Sequence, residues 1–151
     1  MSYPKNERLD REDQDLLSFQ VPHSLEAEQA VLGAMLIDSR CIPEVMGILQ
    51  PDDFYVEKNK EIFTAIFTMF SFSETIDPVT VLDKMKALGS YSESSRAYVV
   101  QLMEITPTAA HAARYSAIIR EKSILRGLLQ TAENIAYSVR SQDGTADNSP
   151  N

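Results

Sequence analysis

The sequence predicts an all-α fold, a compact orthogonal bundle of about five short helices followed by one long C-terminal helix. Three observations lead there. Val, Ile and Thr nowhere alternate with polar residues for long, so half-buried strands have no place to form. Apolar residues recur instead at spacings of three and four. Most of the seven prolines and five glycines fall at segment edges or in first turns, where they end one helix or begin the next.

The elements follow in order. Residues 1–20, with three basic and five acidic side chains, offer little to bury and read as a flexible tail. Ser24 is a helix cap, with Glu26 and Glu28 near the positive end of the helix dipole. The helix continues into AVLGAMLI, apolar on every face, and so is the central buried element. Gly33 within it costs about 1 kcal/mol relative to alanine, either because another helix packs closely there or because it is merely tolerated. Asp38-Ser39 restart the chain. Ile42, Val45, Met46 and Leu49 then trace a short second helix with Pro43 in its first turn. Pro51-Asp52-Asp53 reads as a turn. Ile62, Phe63, Ile66, Phe67 and Phe70 make the stripe of a third helix. Asp77-Pro78 starts a fourth and Gly89 stops it, with Leu82, Met85 and Leu88 facing inward. Ser94 or Ser95 caps a fifth, which carries Tyr98, Leu102 and Ile105.

The last segment differs in kind. From Ala109 to about Val139 there is no proline and one glycine, Gly127. At ~1.5 Å per residue this is a helix of roughly 46 Å, longer than the body of such a domain is wide. Its apolar positions are Tyr115, Ile118, Leu125, Leu128, Ala132, Ile135 and Val139, widened by Ile119, Leu129 and Ala136 and interrupted by Glu121-Lys122. Five short helices cannot cover that face. Either its outer part meets a following helix, another copy or a partner, or the chain breaks near Gly127 into a local hairpin. The domain plan is therefore a tail over 1–20, a globular helical subdomain over 21–105, a projecting helix over 106–140 and a flexible end over 141–151.

Composition narrows the functional classes. The 151 residues suffice for one ordinary domain, and 14 Lys+Arg against 22 Asp+Glu give a net charge of -8. That balance disfavours a phosphate-gripping surface; only residues 106–139, with four basic and two acidic side chains, are locally positive. A helix-turn-helix or regulatory DNA-binding module is the competing reading that this segment keeps open. One cysteine, Cys41, excludes an internal disulfide, and with His23 and His111 it cannot assemble a structural zinc site. The polar start is unlike a secretory signal and no apolar run reaches the ~20 residues of a membrane span, so a cytoplasmic location is expected. No GxxxxGK[ST] run cradles a phosphate, and Lys122-Ser123 lies mid-helix. Neither histidine has a nucleophile pattern nearby. Asp52-Asp53 reads as turn chemistry, and Cys41 as a packing residue. The chain itself is expected not to be an enzyme.

The order of the segments nevertheless carries a specific resemblance. VPHSLEAEQAVLGAMLID (21–38), PDDFY (51–55), IFTAIF (62–67), IDPVT (76–80), AYVVQL (97–102) and TPTAAHAARYSAIIREKSILRGLL (106–129) together resemble the N-terminal domain of bacterial replicative DNA helicases of the DnaB type. The departures lie in loops: Ser94-Ser95 where the family usually has Gly-Gly, Ser73 where glycine is common, and His111 where the family has asparagine. The resemblance implies a six-helix domain whose long last helix is the first arm of a helical hairpin. In the family these domains pair, form a collar on the hexameric ring and dock the C-terminal domain of primase within the primosome; a helicase loader is a further partner. Unwinding uses ATP and Mg in an ATPase domain that would follow residue 151, so no cofactor and no metal is expected in this chain. By motif, Glu26, Tyr98, Leu129 and Ile135 become candidate primase or inter-protomer contacts, joined by Leu125, Leu128 and Ala132 on the same helical stripe. Intramolecular packing of Leu129 and Ile135, and a half-buried core role for Tyr98, stand beside that assignment. The helicase-binding domain of a primase is the other helical architecture of this kind; the LEAEQAVLGAMLID and PTAA blocks favour the helicase.

Overall fold

The computed structural model describes residues 21–147, with side chains described through 142, and every described element is helical. Helix α1 (Leu25–Ile37) begins where Ser24 Oγ accepts the Ala27 N–H at 3.2 Å, as its sequence position requires. It is the axis of the core. Val31, Leu32, Ala34 and Met35 are almost fully buried, and α1 packs against both of the last two helices. Gly33 marks a close approach. A Cβ there would collide with the Thr106 hydroxyl and lie 2.6 Å from the Leu102 carbonyl, so only glycine lets the fifth helix sit this near.

A 3-10 turn (Ser39–Cys41) leads to the one-turn helix α2 (Ile42–Met46), which carries Pro43 in its first turn. A second 3-10 turn (Pro51–Asp53) precedes α3 (Glu57–Ser71). Ile62, Phe63, Ile66 and Met69 are buried from α3, whereas Phe70 reaches the surface. Helix α4 (Pro78–Leu88) opens on a capping box: Asp77 Oδ1 accepts from Thr80 N–H and Thr80 Oγ1 from Asp77 N–H, each at 2.9 Å. Gly89 closes it in the left-handed region at φ 79°. The inward face is Val81, Leu82 and Met85; Leu88, expected to complete it, is exposed, because the helix ends on its turn and the residue only borders an open groove beside Lys60 and Thr64.

Helix α5 (Glu93–Glu104) is capped at Ser92, earlier than expected. Ser95 serves as the N3 partner, its hydroxyl accepting from Ser92 N–H at 2.9 Å. Leu102 is buried and Tyr98 half-buried, but Ile105 is the C-terminal cap and lies half exposed, since the chain turns away there. Helix α6 (Ala112–Asp147) starts three residues later than Ala109, because Thr108 Oγ1 accepts the Ala110 N–H and holds this stretch in a turn. It passes Gly127 without a break, so the local hairpin does not form. It also continues through 141–147, which the sequence reading placed in a flexible end. Extending a helix gains one hydrogen bond per residue fixed, and no proline intervenes before Pro150. The N-terminal tail over 1–20 and the final residues 148–151 lie outside the described residues.

Ala112, Ser116 and Ile119 of α6 are buried in the same core as α1, whereas every residue from Gln130 through Gln142 is exposed. Body and arm therefore divide along α6, near Arg126.

Candidate interaction arm and its seat

The arm is defined by five residues. Leu125, Leu128, Ala132, Ile135 and Val139 are spaced 3, 4, 3 and 4 apart, the repeat of a coiled-coil seam on one helix face. All five are exposed, with Leu128 at 62% and Ile135 at 61%. Leu129, half-buried, and Ala136 flank the seam. Five of the residues singled out from sequence, Leu125, Leu128, Leu129, Ala132 and Ile135, are thus brought together on one helical side. That side is unpaired among the described residues.

The other two candidates lie elsewhere. Glu26 is exposed on α1, at the rim of a groove of about 270 Å³ floored by Ala30, Ile105, Pro107 and Tyr115 and edged by His111. Tyr98 belongs to a polar network that joins three helices. Its hydroxyl donates to Asn59 Oδ1 on α3 and accepts from Gln29 Nε2 on α1 at 3.3 Å. The Lys58 ammonium lies 4.0 Å from the centre of its ring. Burial, opposed by the Gln29 hydrogen bond, raises the Tyr98 phenol above its ordinary range. Asn59 Nδ2 donates in turn to Glu28 Oε1 at 3.2 Å.

Glu28 does more than complement a helix dipole. Its carboxylate, 1% exposed, accepts from the Tyr55 and Val56 N–H groups at 3.0 and 3.2 Å. Val56 is the N-cap of α3 and has no capping side chain of its own. Glu28 thus caps α3 from another helix.

Asp53 is the second acid whose role differs from its sequence reading. It is buried, and its Oδ2 accepts from Gln50 N–H at 2.8 Å, the local bond that a turn aspartate makes. Its Oδ1 accepts from Arg120 Nη1 at 2.8 Å and from Ser123 Oγ at 2.7 Å, both on α6. One turn on, Arg126 donates from Nη2 to the Asp53 carbonyl at 2.7 Å and from Nη1 to the Pro22 carbonyl at 2.8 Å. Its guanidinium sits 5.4 Å from the centre of the Tyr55 ring, and Tyr55 packs on His23 with ring centres 4.5 Å apart. These contacts seat α6 on the body directly below the first seam residue.

Nothing in the local sequence announces the seat. The signal available was the regular 3-residue spacing of Arg120, Ser123 and Arg126, a polar stripe at an angle to the apolar one. Among the described residues no group of three or more His, Cys, Asp or Glu is placed to hold a metal ion, and no helix is long and apolar enough to cross a membrane.

Comparison with known proteins agrees with this architecture. Residues 20–121 match the family model described as the DnaB-like helicase N terminal domain. The chain is 36% identical over 115 residues to the replicative DNA helicase DnaB of Leifsonia xyli subsp. xyli, covering 76% of this chain and 25% of that protein. It is 40% identical over 124 residues to the replicative DNA helicase DnaB of Geobacillus stearothermophilus, covering 82% of this chain and 26% of that protein. The chain therefore spans about a quarter of the length of these curated relatives. Its fold is similar to the crystal structure of the N-terminal domain of DnaB helicase from Mycobacterium tuberculosis, with a TM-score of 0.78 and 32% identity, covering 82% of this chain and 89% of that one. With the first five helices and the start of α6 through residue 121 inside the matched region, the chain belongs to the family of DnaB-like helicase N-terminal domains.

Proposed function

We propose that this chain is the collar and protein-interaction part of a replicative DNA helicase, supporting dimerisation and ring assembly and docking the C-terminal domain of primase during cytoplasmic DNA replication. The observation that carries the proposal is the exposed seam of Leu125, Leu128, Ala132, Ile135 and Val139 on a helix that outruns its own body. Apolar residues at heptad spacing want a facing helix, and the short helices of the body are all engaged in the core. The family supplies the context, since its curated relatives are replicative helicases.

The chemistry of unwinding is assigned to the three quarters of those relatives outside the matched length, with ATP and Mg²⁺ as cofactors there. The work of this chain is binding alone. Two copies pair along the seam, burying leucine and isoleucine side chains that water otherwise surrounds. The seat at Asp53 and Arg126 fixes the direction in which the seam is presented. Primase, and in some systems a helicase loader, meets the surface formed by α1, the Tyr98 helix and the arm, with Glu26 as a rim contact.

Sedimentation equilibrium of the chain, alone and mixed with the C-terminal domain of the cognate primase, tests this reading. Concentration-dependent self-association and a mixed complex are expected. Both should be weakened by Leu128→Asp with Ile135→Asp, while circular dichroism stays that of the parent. A complex that tolerates this double change would refute the seam as the binding surface. Purified chain should turn over no ATP.

A further inference from the structure

Helices α4 and α5 are joined by the short connection 89–92 and leave an open groove between them. Arg96, Val99, Val100 and Met103 line it from one face of α5, and Tyr98 projects from the other side of that helix. The groove is thus separate from the Tyr98 network and from the arm. Its floor is sealed, with Val99 1% and Leu82 9% exposed. Its walls are not: Val79 on α4 is 69% and Val100 on α5 46% exposed. Two valines standing in water over a buried floor are an apolar face without a cover among the described residues. The volume is about 240 Å³, below the roughly 300–1,000 Å³ of a small-molecule cleft, and no buried polar side chain lines it to orient a metabolite. Side chains from a helix laid along the groove suit it better.

Charge selects among such helices. Lys86 lies in the last turn of α4 and Arg96 early in α5, so both cations border the connection and mark the joined end of the groove. Val79, in the first turn of α4, and Val100, past the middle of α5, lie toward its open end. Both cations are exposed and neither makes an ion pair among the described residues; Lys86 only lies 4.8 Å from the centre of the Tyr91 ring. Asp83 is the one acid in the lining, and Glu93, a turn before Arg96, is outside it. On a chain of net charge -8, this end of the groove is a place where carboxylates are attracted and not repelled. A second copy does not supply them. Its exposed apolar seam lies on the outer part of α6, where residues 127–142 carry only Glu133 and Arg140 and so no net charge.

We propose that the groove between α4 and α5 docks an acidic amphipathic helix of a partner protein. Aliphatic side chains of that helix, spaced three and four apart, enter between Val79 and Val100, and carboxylates of its first turn meet Lys86 and Arg96. Acids in a first turn are also what a helix dipole favours, so the occupant needs no unusual sequence. Its N-terminus lies at the joined end of the groove and its apolar face toward the open end. The contact is small and its charges are exposed, so binding is weak and falls with salt. The site does not depend on the seam, and one chain can hold a partner at each.

Panning a library of helical peptides, randomised over the first turn and along one face, against the full chain tests this. Bait carrying Leu128→Asp with Ile135→Asp removes the arm as a target. Enriched peptides should hold two or more acids in the first turn, ahead of Leu, Ile, Val or Met at spacings of three and four. A fluorescein-labelled peptide from this set should bind Lys86→Glu with Arg96→Glu at least about tenfold more weakly. The same peptide with lysines in place of its acids should regain binding to that variant. Val100→Ser, at an exposed position over an intact floor, should weaken binding severalfold while circular dichroism stays that of the parent. Panning that yields no binder overturns the proposal, as do enriched peptides without acids or peptides indifferent to the two cations and Val100. Adsorption to phosphatidylserine vesicles controlled by the same cations, with no peptide enriched, overturns it too and gives the face to a membrane. None of these failures touches the arm, which the bait lacks as a target, and loss of self-association through the arm leaves the groove standing.

Discussion

The root and the outer half of α6 belong to one continuous helix and are held by opposite means. The root buries Ala112 and Ile119 in the core and is pinned in direction by polar bonds into a buried site: Asp53 receives Arg120 and Ser123, and Arg126 reaches two backbone carbonyls. The outer half is exposed throughout its described side chains and carries its apolar residues into solvent. Normal globular logic would put the leucines at the root and the arginines at the tip. The reversal teaches that the root is built for direction and the tip for association. Polar bonds have defined geometry and fix an angle, whereas apolar burial is non-directional and leaves the choice of partner to spacing. Substitutions that affect the root should therefore be read in stability, and substitutions at the tip in association.

The largest effect on stability is expected from the acid that supports the root indirectly. Glu28→Ala orphans the Tyr55 and Val56 N–H groups and the Asn59 amide, and should cost about 3 kcal/mol or more in urea unfolding. Glu28→Gln keeps acceptor capacity on one oxygen and should cost roughly half as much. Equal losses for the two would show that charge, and not hydrogen bonding, sets the contribution.

Asp53→Ala comes next, at about 2 kcal/mol, since Arg120 is half exposed and can turn to water while Gln50 N–H and Ser123 cannot do so as freely. Its sharper readout is direction. Spin labels on the body and at Gln130 should report a broadened distance distribution in this variant and a narrow one in the parent. A narrow distribution in both would mean that packing of Ile119 and Ala112 already fixes the angle and that the polar seat is redundant.

Leu128→Ser should move unfolding stability by less than about 0.5 kcal/mol, because the side chain is exposed. The same change should weaken self-association by at least about tenfold, the loss expected when a seam leucine no longer meets its partner. A large stability loss in dilute monomer would instead place Leu128 in an intramolecular contact.

The halves of the helix also differ in how much of them the sequence discloses. Helix α1, the capping box at Asp77 and Thr80, and the stop at Gly89 are legible because their signals lie within four residues of their effects. The exposed seam is legible for a similar reason: periodicity declares an apolar face, and helix length says that the body cannot cover it. The seat is not legible in that way. Asp53 makes its expected turn bond to Gln50, and that local explanation is complete, so nothing calls for partners 67 and 70 residues away. Glu28 was hidden likewise, since an acid in a first turn already satisfies the dipole argument. Leu88 and Ile105 erred in the other direction. Their spacing extends an apolar stripe past the point where the helix, or its neighbour, ends. Where a local and a long-range role fall on one side chain, pattern reading returns the local one.

The smallest effect concerns Tyr98, which ties the body together without touching the arm. Burial raises its phenol above the ordinary tyrosine range, so the folded state favours the neutral form more than the unfolded state does. For an acid whose folded pKa is raised, the folded state holds the proton when the unfolded state has released it. Stability is then fully present below the unfolded value near about 10, and is lost as pH climbs through the raised folded value. The urea midpoint should accordingly fall faster above pH ~10 in the parent than in Tyr98→Phe, even though the variant starts lower through loss of the Asn59 and Gln29 bonds. Parallel alkaline profiles for parent and variant would show that the ring reaches water when it ionises. In that case the Tyr98 hydroxyl stands at an open edge of the network, and the tie beneath the arm is carried by Glu28 and Asn59, which stay buried between α1 and α3.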